Sequence, residues 1–176
     1  CDTGRISAAT PSLESAARTA ALRRPGCPTA ADPFTDVAGS SFARLDVTCI
    51  YHLGITTGTS PTAYSPADRV TREQMAAFIA RLWRTLGGSC ATTPHGFTDV
   101  SAGSFAAADV ACIKALGITT GTSPTTYGPH ELVTREQMGA FLARLWRALG
   151  NTCPGGGDPF GDCLLYTSDA ADDLVG

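Results

Sequence analysis

The side chains best suited to acid–base or nucleophilic chemistry are three histidines, His52, His95 and His130, set among many serines and threonines. A hydroxyl nucleophile needs a base held at a fixed position beside it. The chain contains an internal duplication, yet Ala115 stands at the partner position of His52 and Ala67 at that of His130. We therefore expect no catalytic site and no cofactor in this segment.

Four of the seven cysteines fall at matched places in the duplication. Cys27 and Cys49 are 22 residues apart, and so are Cys90 and Cys112. No Cys-x-x-Cys pair or histidine cluster indicates zinc. We predict disulfides Cys27–Cys49 and Cys90–Cys112, each worth about 3 kcal/mol by loop closure, and hence an oxidising compartment. Buried free thiols at Cys49 and Cys112 are the alternative.

The duplication has a constant offset of 63 residues. It carries the segment Phe-Thr-Asp-Val at 34–37 onto 97–100, and Leu-Gly-Ile-Thr-Thr-Gly at 53–58 onto 116–121. Residues 71–84 differ from their partners by only two small changes of apolar volume. Repeats of this length indicate supersecondary units that stack on one another.

Each copy predicts two helices joined by a turn-rich loop. The first helix is expected from Ser41 to Leu53, because apolar residues recur there at the spacing of one helical face. Gly54 is expected to end it in the left-handed conformation, with Ile55 packing back on the last turn. The predicted apolar face contains Phe42, Leu45, Cys49, Ile50 and Leu53.

The second helix has the clearest start signal in the chain. Thr71 followed by Gln74 forms a capping box, which the second copy repeats at Thr134 and Gln137. One helix pair cannot bury its own apolar face, so we expect neighbouring repeats to share a core. The predicted inward face contains Met75, Phe78, Ile79, Leu82 and Leu86.

Charge and hydropathy exclude two classes of partner. The chain has 13 basic and 16 acidic residues, a formal net charge of −3, and no run of like charges that could follow a phosphate backbone. Nucleic acid is therefore not an expected partner. Every apolar run is broken before the roughly 18 to 20 residues that a membrane-spanning helix needs, so we expect no transmembrane segment.

The order of motifs in each copy resembles the S-layer homology repeat of bacterial cell-surface proteins. Phe-x-Asp-Val is followed by Leu-Gly-Ile-x-x-Gly, Tyr-x-Pro and Val-Thr-Arg-x-Gln-Met, over residues 32–84 and 98–147. The resemblance implies an all-α fold in which tandem helix-loop-helix repeats pack as part of a three-pronged, pseudo-threefold spindle. It also implies non-covalent anchoring of a secreted protein to extracellular cell-wall polysaccharide, often one that carries ketal pyruvate.

In that family the arginine of a Thr-Arg-Ala-Glu motif is assigned to ligand contact. The motif matches residues 71–74 and 134–137, with Gln in place of the final Glu, so the resemblance assigns polysaccharide binding to Arg72 and Arg135. A guanidinium offers paired donors to a carboxylate, and the positive helix end lies beside it. As an alternative, both arginines are solvated or pair with neighbouring carboxylates.

Two further pairs of repeated residues have a binding and a structural interpretation. Asp36 and Asp99 either bind sugar hydroxyls or cap the first helix of their repeat. Trp83 and Trp146 either stack on sugar rings or pack in the core or at an interface, and one tryptophan beside a leucine face favours packing.

Two other functions compete with polysaccharide anchoring. A lattice or adhesion module of the cell surface would bind protein instead of glycan. The segment is alternatively the anchor part of a larger surface enzyme, whose catalytic domain lies elsewhere.

The repeat also predicts the domain organisation. The residues after 162 lack the loop and helix pattern of the other copies and resemble a translated sequencing-adapter read-through, so they are expected to be non-native. A degenerate capping repeat is the alternative. Cys1 is interpreted as a fragment end or, alternatively, a lipoprotein terminus. The expected units are a preceding segment at 1–26, repeats at 27–89 and 90–152, a truncated third repeat at 153–162, and the tail at 163–176.

Overall fold

The computed structural model describes residues 26–27 and 30–152. The predictions about the preceding segment, the third repeat and the tail fall almost wholly outside these residues. In the described part the chain forms four helices, and none of them is long and apolar enough to cross a membrane. The predicted all-α class is confirmed for this part. The helices are α1 (Arg44–His52), α2 (Arg72–Thr85), α3 (Ala107–Ala115) and α4 (Arg135–Ala148).

Both predicted capping boxes are present at the starts of α2 and α4. The Thr71 hydroxyl accepts a hydrogen bond from the Gln74 amide at 3.3 Å, and the Gln74 side chain accepts one from the Thr71 amide at 2.9 Å. Thr134 and Gln137 make the same pair of bonds at 3.1 and 3.2 Å. Each box satisfies amides that no residue inside the helix can reach.

The end of α1 also agrees with the prediction. Gly54 has a positive φ of 69°, and its amide donates to the Tyr51 carbonyl at 2.9 Å. The next amide, that of Ile55, donates to the Ile50 carbonyl at 2.9 Å. These two bonds define a Schellman motif, and they turn the Ile55 side chain into the core.

The predicted apolar face of α1 is wrong in its first turn. The helix begins at Arg44 instead of Ser41, so Phe42 precedes it and is fully exposed. Leu45 is 82% exposed, whereas Val47, which the prediction left out, is buried with Cys49.

A side chain at the helix start explains the difference. The Arg44 guanidinium donates to the carbonyls of Phe34 and Val37 at 3.2 and 3.0 Å. These bonds tie the Phe-Thr-Asp-Val turn to the first turn of α1. Val47 then packs with Phe34 and Val37 in a small apolar cluster, and Leu45 is left on the solvent side.

The two repeats share one apolar core, as the patterns predicted. Helix α2 of the first repeat packs on α3 and, to a lesser extent, on α4 of the second. The apolar face of α2 is therefore buried by the second repeat and not by the first repeat alone. The cluster contains Met75, Ala76, Ile79 and Ala80 from α2 with Val110, Ile113, Phe141 and Leu145 from α3 and α4.

One glycine in the loop after α3 is required by a close approach. Gly121 has a φ of 102°, and the Thr126 carbonyl and the Phe97 ring occupy the space that a Cβ would need. Gly117 also has a positive φ, of 68°, but its Cβ position is open. Of these two glycines, only Gly121 therefore combines an unfavourable conformation with a steric clash.

We expect Gly121→Ala to lower the free energy of unfolding by more than about 2 kcal/mol, because strain and clash add. The matched Gly117→Ala change has the strain alone and should cost about 1 kcal/mol. Urea denaturation followed by circular dichroism measures both values. Equal losses in the two variants would show that the close approach does not matter.

Candidate functional site

The start of α2 is bound to a loop of the second repeat, and we call this contact the seam. The Arg72 amide donates to the Glu131 carbonyl at 2.8 Å, and the Glu73 amide donates to the Pro129 carbonyl at 3.0 Å. Amides in the first turn of a helix have no partner within that helix. The second repeat thus completes the hydrogen bonding of a helix in the first.

The Arg72 side chain lies inside the seam and is only 1% exposed. Its Nε donates to the Tyr127 carbonyl at 2.7 Å, while the Tyr127 hydroxyl donates to the Arg72 carbonyl at 2.8 Å. Burial raises the pKa of Tyr127, so its hydroxyl remains a donor. We call this reciprocal pair of bonds the Arg72–Tyr127 clamp.

Aromatic rings surround the same guanidinium. Its carbon lies 4.8 Å from the centroid of the Tyr127 ring and 5.6 Å from that of Phe141. The faces of these rings attract a cation. Among the described residues, however, no carboxylate forms an ion pair with Arg72, and its buried Nη1 has no hydrogen-bond partner. The seam therefore holds a positive charge with a spare donor.

The acidic neighbour of Arg72 is engaged elsewhere. Glu73 accepts a hydrogen bond from the Ser104 hydroxyl at 3.0 Å and lies 3.1 Å from Nδ1 of His130. Both partners belong to the second repeat, so Glu73 strengthens the seam. It does not neutralise the arginine beside it, contrary to one of the alternatives left by the sequence.

A second polar contact joins the repeats at the other end of α2. Nη2 of Arg84 donates to Oδ1 of Asp109 at 2.7 Å, and Nε of Arg81 lies 3.9 Å from Oδ2. Asp109 is buried, so this pair is screened less by solvent than an exposed pair. The clamp and the ion pair together fix α2 against the second repeat.

The second motif arginine has a different environment. Arg135 occupies the start of α4 in the same capping box, yet its side chain is exposed. The described residues end two positions beyond Gly150, and they place no further repeat against α4. The two copies of one motif thus differ because, within these residues, only the first is covered by another repeat.

Each repeated aspartate holds the tyrosine loop of its own repeat, and the loop that Asp99 holds enters the seam. The Asp99 carboxylate accepts hydrogen bonds from the amides of Tyr127 and Gly128, each at 2.8 Å. Asp36 accepts the equivalent two amides in the first repeat, and these bonds hold its pKa below the usual range. Neither aspartate caps a helix, since the N-cap residues of α1 and α3 have no side-chain hydrogen bond.

Each repeated tryptophan bonds through its indole to the segment that follows its helix. Nε1 of Trp83 donates to the Ser89 carbonyl at 2.9 Å, and the ring packs against the shared core. Trp146 makes the same bond to Thr152 at 3.1 Å but remains 50% exposed. Packing at an interface accounts for Trp83, whereas Trp146 has no such packing among the described residues.

Both predicted cysteine pairs form disulfides in the structure. Cys27 is joined to Cys49 and Cys90 to Cys112, with Cα atoms 4.8 and 4.9 Å apart. Each bond fixes the start of a repeat to the first helix of that repeat. Cys112 is fully buried in the core that both repeats share.

Comparison with known proteins identifies the repeats. The sequence model of the S-layer homology domain matches residues 33–76 and 96–138. An endoglucanase of Bacillus sp. (strain KSM-635) is 35% identical over 119 residues, which are 68% of this chain and 12% of the endoglucanase. A cell surface protein of Thermoanaerobacter kivui is 27% identical over 117 residues, 65% of this chain and 15% of that protein.

Each matched stretch lies within one copy of the duplication, and each includes residues that form the seam. Each extends from a Phe-Thr-Asp-Val turn to the first residues of a capped helix, so each includes one motif arginine. The chain spans only a small part of the length of these two relatives. Sequence, fold and comparison agree that this chain carries two repeats of the S-layer homology family.

Proposed function

We propose that the two repeats anchor a secreted protein non-covalently to extracellular cell-wall polysaccharide, with the seam as the glycan-binding site. S-layer homology domains are anchoring modules of the cell surface and not catalytic domains. The observation that supports a glycan ligand is the guanidinium of Arg72, which forms no ion pair with a carboxylate of the described residues and whose Nη1 has no hydrogen-bond partner. Because Arg72 is only 1% exposed, the proposal requires the seam to open locally when the ligand binds. A carboxylate on a sugar, such as ketal pyruvate, has the charge and the paired acceptors that this group can bind.

The proposal gives the repeated residues separate roles. Arg72 contacts the carboxylate, and Arg135 does the same once another unit covers the start of α4. Asp36 and Asp99 act on the glycan through the tyrosine loops that they hold, since their carboxylates already accept amide hydrogen bonds. The positive end of each helix adds to the attraction for an anion.

The three-pronged spindle is proposed on the same physical basis. Each repeat needs a neighbour to cover its second helix, and one such seam is present between the two repeats. A third unit against α4 would repeat that seam. The whole protein is proposed to be longer than this chain, with these repeats as its anchor, because its relatives are several times longer.

Cosedimentation with purified cell walls tests the glycan site. We expect binding that survives protease treatment of the walls and is lost once their polysaccharide is chemically stripped. Arg72→Lys keeps the charge but loses the planar fork, so it should weaken binding about tenfold, or about 1.4 kcal/mol.

The control for this variant is Arg69→Lys, because Arg69 lies just before the same helix but is exposed. Circular dichroism must show that both variants keep their helices. Binding to stripped walls, or equal binding by the two variants, would contradict the assignment.

A further inference from the structure

The Phe-Thr-Asp-Val turns of the two repeats are held by different side chains. In the first repeat, Oδ1 of Asp32 accepts a hydrogen bond from the Phe34 amide at 2.9 Å. The 63-residue offset places His95 at the position of Asp32. In the second repeat, Nδ1 of His95 accepts the equivalent bond, from the Phe97 amide, at 3.0 Å. An imidazole thus replaces a carboxylate as the acceptor for the same amide.

The carboxylate of the first repeat remains an acceptor over a wide pH range. Oδ2 of Asp32 accepts a hydrogen bond from the Thr48 hydroxyl and lies 3.4 Å from Nη2 of Arg44. The bond from Thr48, more than the others, holds the pKa of Asp32 below its usual range. An ionised carboxylate only accepts hydrogen bonds, so the turn of the first repeat keeps its anchor well below neutral pH.

The imidazole of the second repeat can accept this bond only while it is neutral. A neutral imidazole has one nitrogen that accepts and one that donates, whereas both nitrogens donate once it is protonated. The bond from the Phe97 amide therefore requires the neutral form of His95, with its proton on Nε2. Imidazoles gain a proton between about pH 5 and 8. Acid then turns the acceptor into a donor that faces another donor.

The charged group that faces His95 is a cation. Its ring lies against that of Phe97, with 5.9 Å between the centroids, and Nζ of Lys114 in α3 lies 3.8 Å from the centroid of the same Phe97 ring. Residues 90–94, which precede His95, and the loop 116–127, which packs on Phe97, contain no charged side chain. Among the described residues, no carboxylate forms an ion pair with His95. A proton on this imidazole thus adds a like charge without a compensating anion.

The turn that His95 holds supports the seam. Phe97 is buried in the core that both repeats share, and its ring centroid lies 5.5 Å from that of Tyr127. Two residues further along the turn, Asp99 accepts the Tyr127 amide at 2.8 Å. Tyr127 in turn forms the clamp with Arg72. One short segment therefore connects the His95 imidazole to the clamp.

We infer that His95 is a pH-sensitive switch of the seam: acid protonates its imidazole, the turn of the second repeat loses an anchor, and the clamp loosens. The open form binds this proton more readily than the closed form, so the stabilisation is complete at neutral pH and is lost as the pH falls. The turn held by Asp32 keeps its anchor. The inference depends on repeat packing and not on glycan binding, so the two proposals can fail separately.

Amide hydrogen exchange of the 176-residue chain at about pH 7.5 and 5.5 tests this inference, with NMR detection. Protection factors correct for the intrinsic pH dependence of exchange. We expect those of the Phe97 and Tyr127 amides to fall about fivefold on acidification, which is the worth of one hydrogen bond. The Phe34 amide, which Asp32 holds, is the control in the same molecule and should keep its protection. The nitrogen chemical shifts of His95 should show the proton on Nε2 at neutral pH.

Two variants separate titration of His95 from its structural role. His95→Asn supplies an acceptor that does not titrate, so the protection of Phe97 and Tyr127 should become independent of pH in this range. His95→Asp copies the first repeat and should do the same, which keeps the test valid if asparagine impairs folding. Circular dichroism shows whether each variant is folded. Protonation of His130 beside Glu73 strengthens the seam in acid, but it is common to all the proteins compared and cancels.

Three results would overturn the inference. An acid response that both variants retain would assign it to another group. Protection that does not change with pH in the unmodified chain, or a proton on Nδ1 of His95 at neutral pH, would remove the switch itself. Loss of protection at Phe97 but not at Tyr127 would confine the effect to the turn and disconnect it from the seam.

Discussion

Replacing Arg72 by alanine is expected to lower the free energy of unfolding by about 3 kcal/mol, whereas Arg135→Ala should change it by less than about 0.5 kcal/mol. The first change removes a charged hydrogen bond to the Tyr127 carbonyl and leaves that carbonyl buried without its donor. It also removes the cation between the rings of Tyr127 and Phe141. Arg135 is exposed and makes no such contact in the described residues.

Urea denaturation of both variants, followed by circular dichroism, measures the difference. The two arginines occupy the same motif, so intrinsic helix propensity and capping cancel in the comparison. Tyr127→Phe provides a check, because it removes only the hydroxyl that donates to the Arg72 carbonyl. Equal stability of the two arginine variants would show that the clamp does not hold the repeats together.

Local sequence signals predicted the helix ends well. The capping box depends on two residues three positions apart, and the Schellman motif on a glycine and its neighbour. Neither needs information from a distant part of the chain. For the same reason, Thr71 with Gln74 and the turn at Gly54 appear in the structure as the sequence predicted.

The face of α1 could not be derived in the same way. Helical spacing placed Phe42 and Leu45 in the predicted core face, because the spacing of apolar residues does not define the residue at which a helix begins. The Arg44 guanidinium fixes that start through two carbonyls of the preceding turn. Such a contact between a side chain and a turn has no periodic signature in the sequence.

The different environments of the two motif arginines were also beyond the sequence. Arg72 and Tyr127 are 55 residues apart and meet only because α2 packs on the next repeat. Identical motifs predict identical local structure, yet the burial of each arginine depends on whether another repeat packs against its helix. The available signal was the Tyr-x-Pro motif that both repeats contain, since a tyrosine at the same position in both units indicates a structural contact. In the second repeat, Tyr127 makes that contact with Arg72.

Loss of the Cys90–Cys112 disulfide is expected to cost about 3 kcal/mol, through Cys90→Ala with Cys112→Ala. The bond closes a loop of 22 residues and so restricts the unfolded chain. For a domain whose total stability is of order 5 to 15 kcal/mol, this loss is substantial. Because alanine keeps the buried position of Cys112 apolar, the loss of unfolding free energy reports chiefly on the missing cross-link. Urea denaturation under oxidising conditions provides the measurement.

The matched pair Cys27→Ala with Cys49→Ala removes a loop of equal length from the first repeat. Loop closure alone predicts the same loss for both pairs. Cys112 also belongs to the core shared by the repeats, whereas Cys49 does not. We therefore expect the Cys90–Cys112 variant to lose additional stability, and reduction of the unchanged chain to lower its stability at least as far as either variant. Full stability after removal of either pair, or a Cys49–Cys90 link in non-reducing peptide maps, would show that the bonds do not staple each repeat separately.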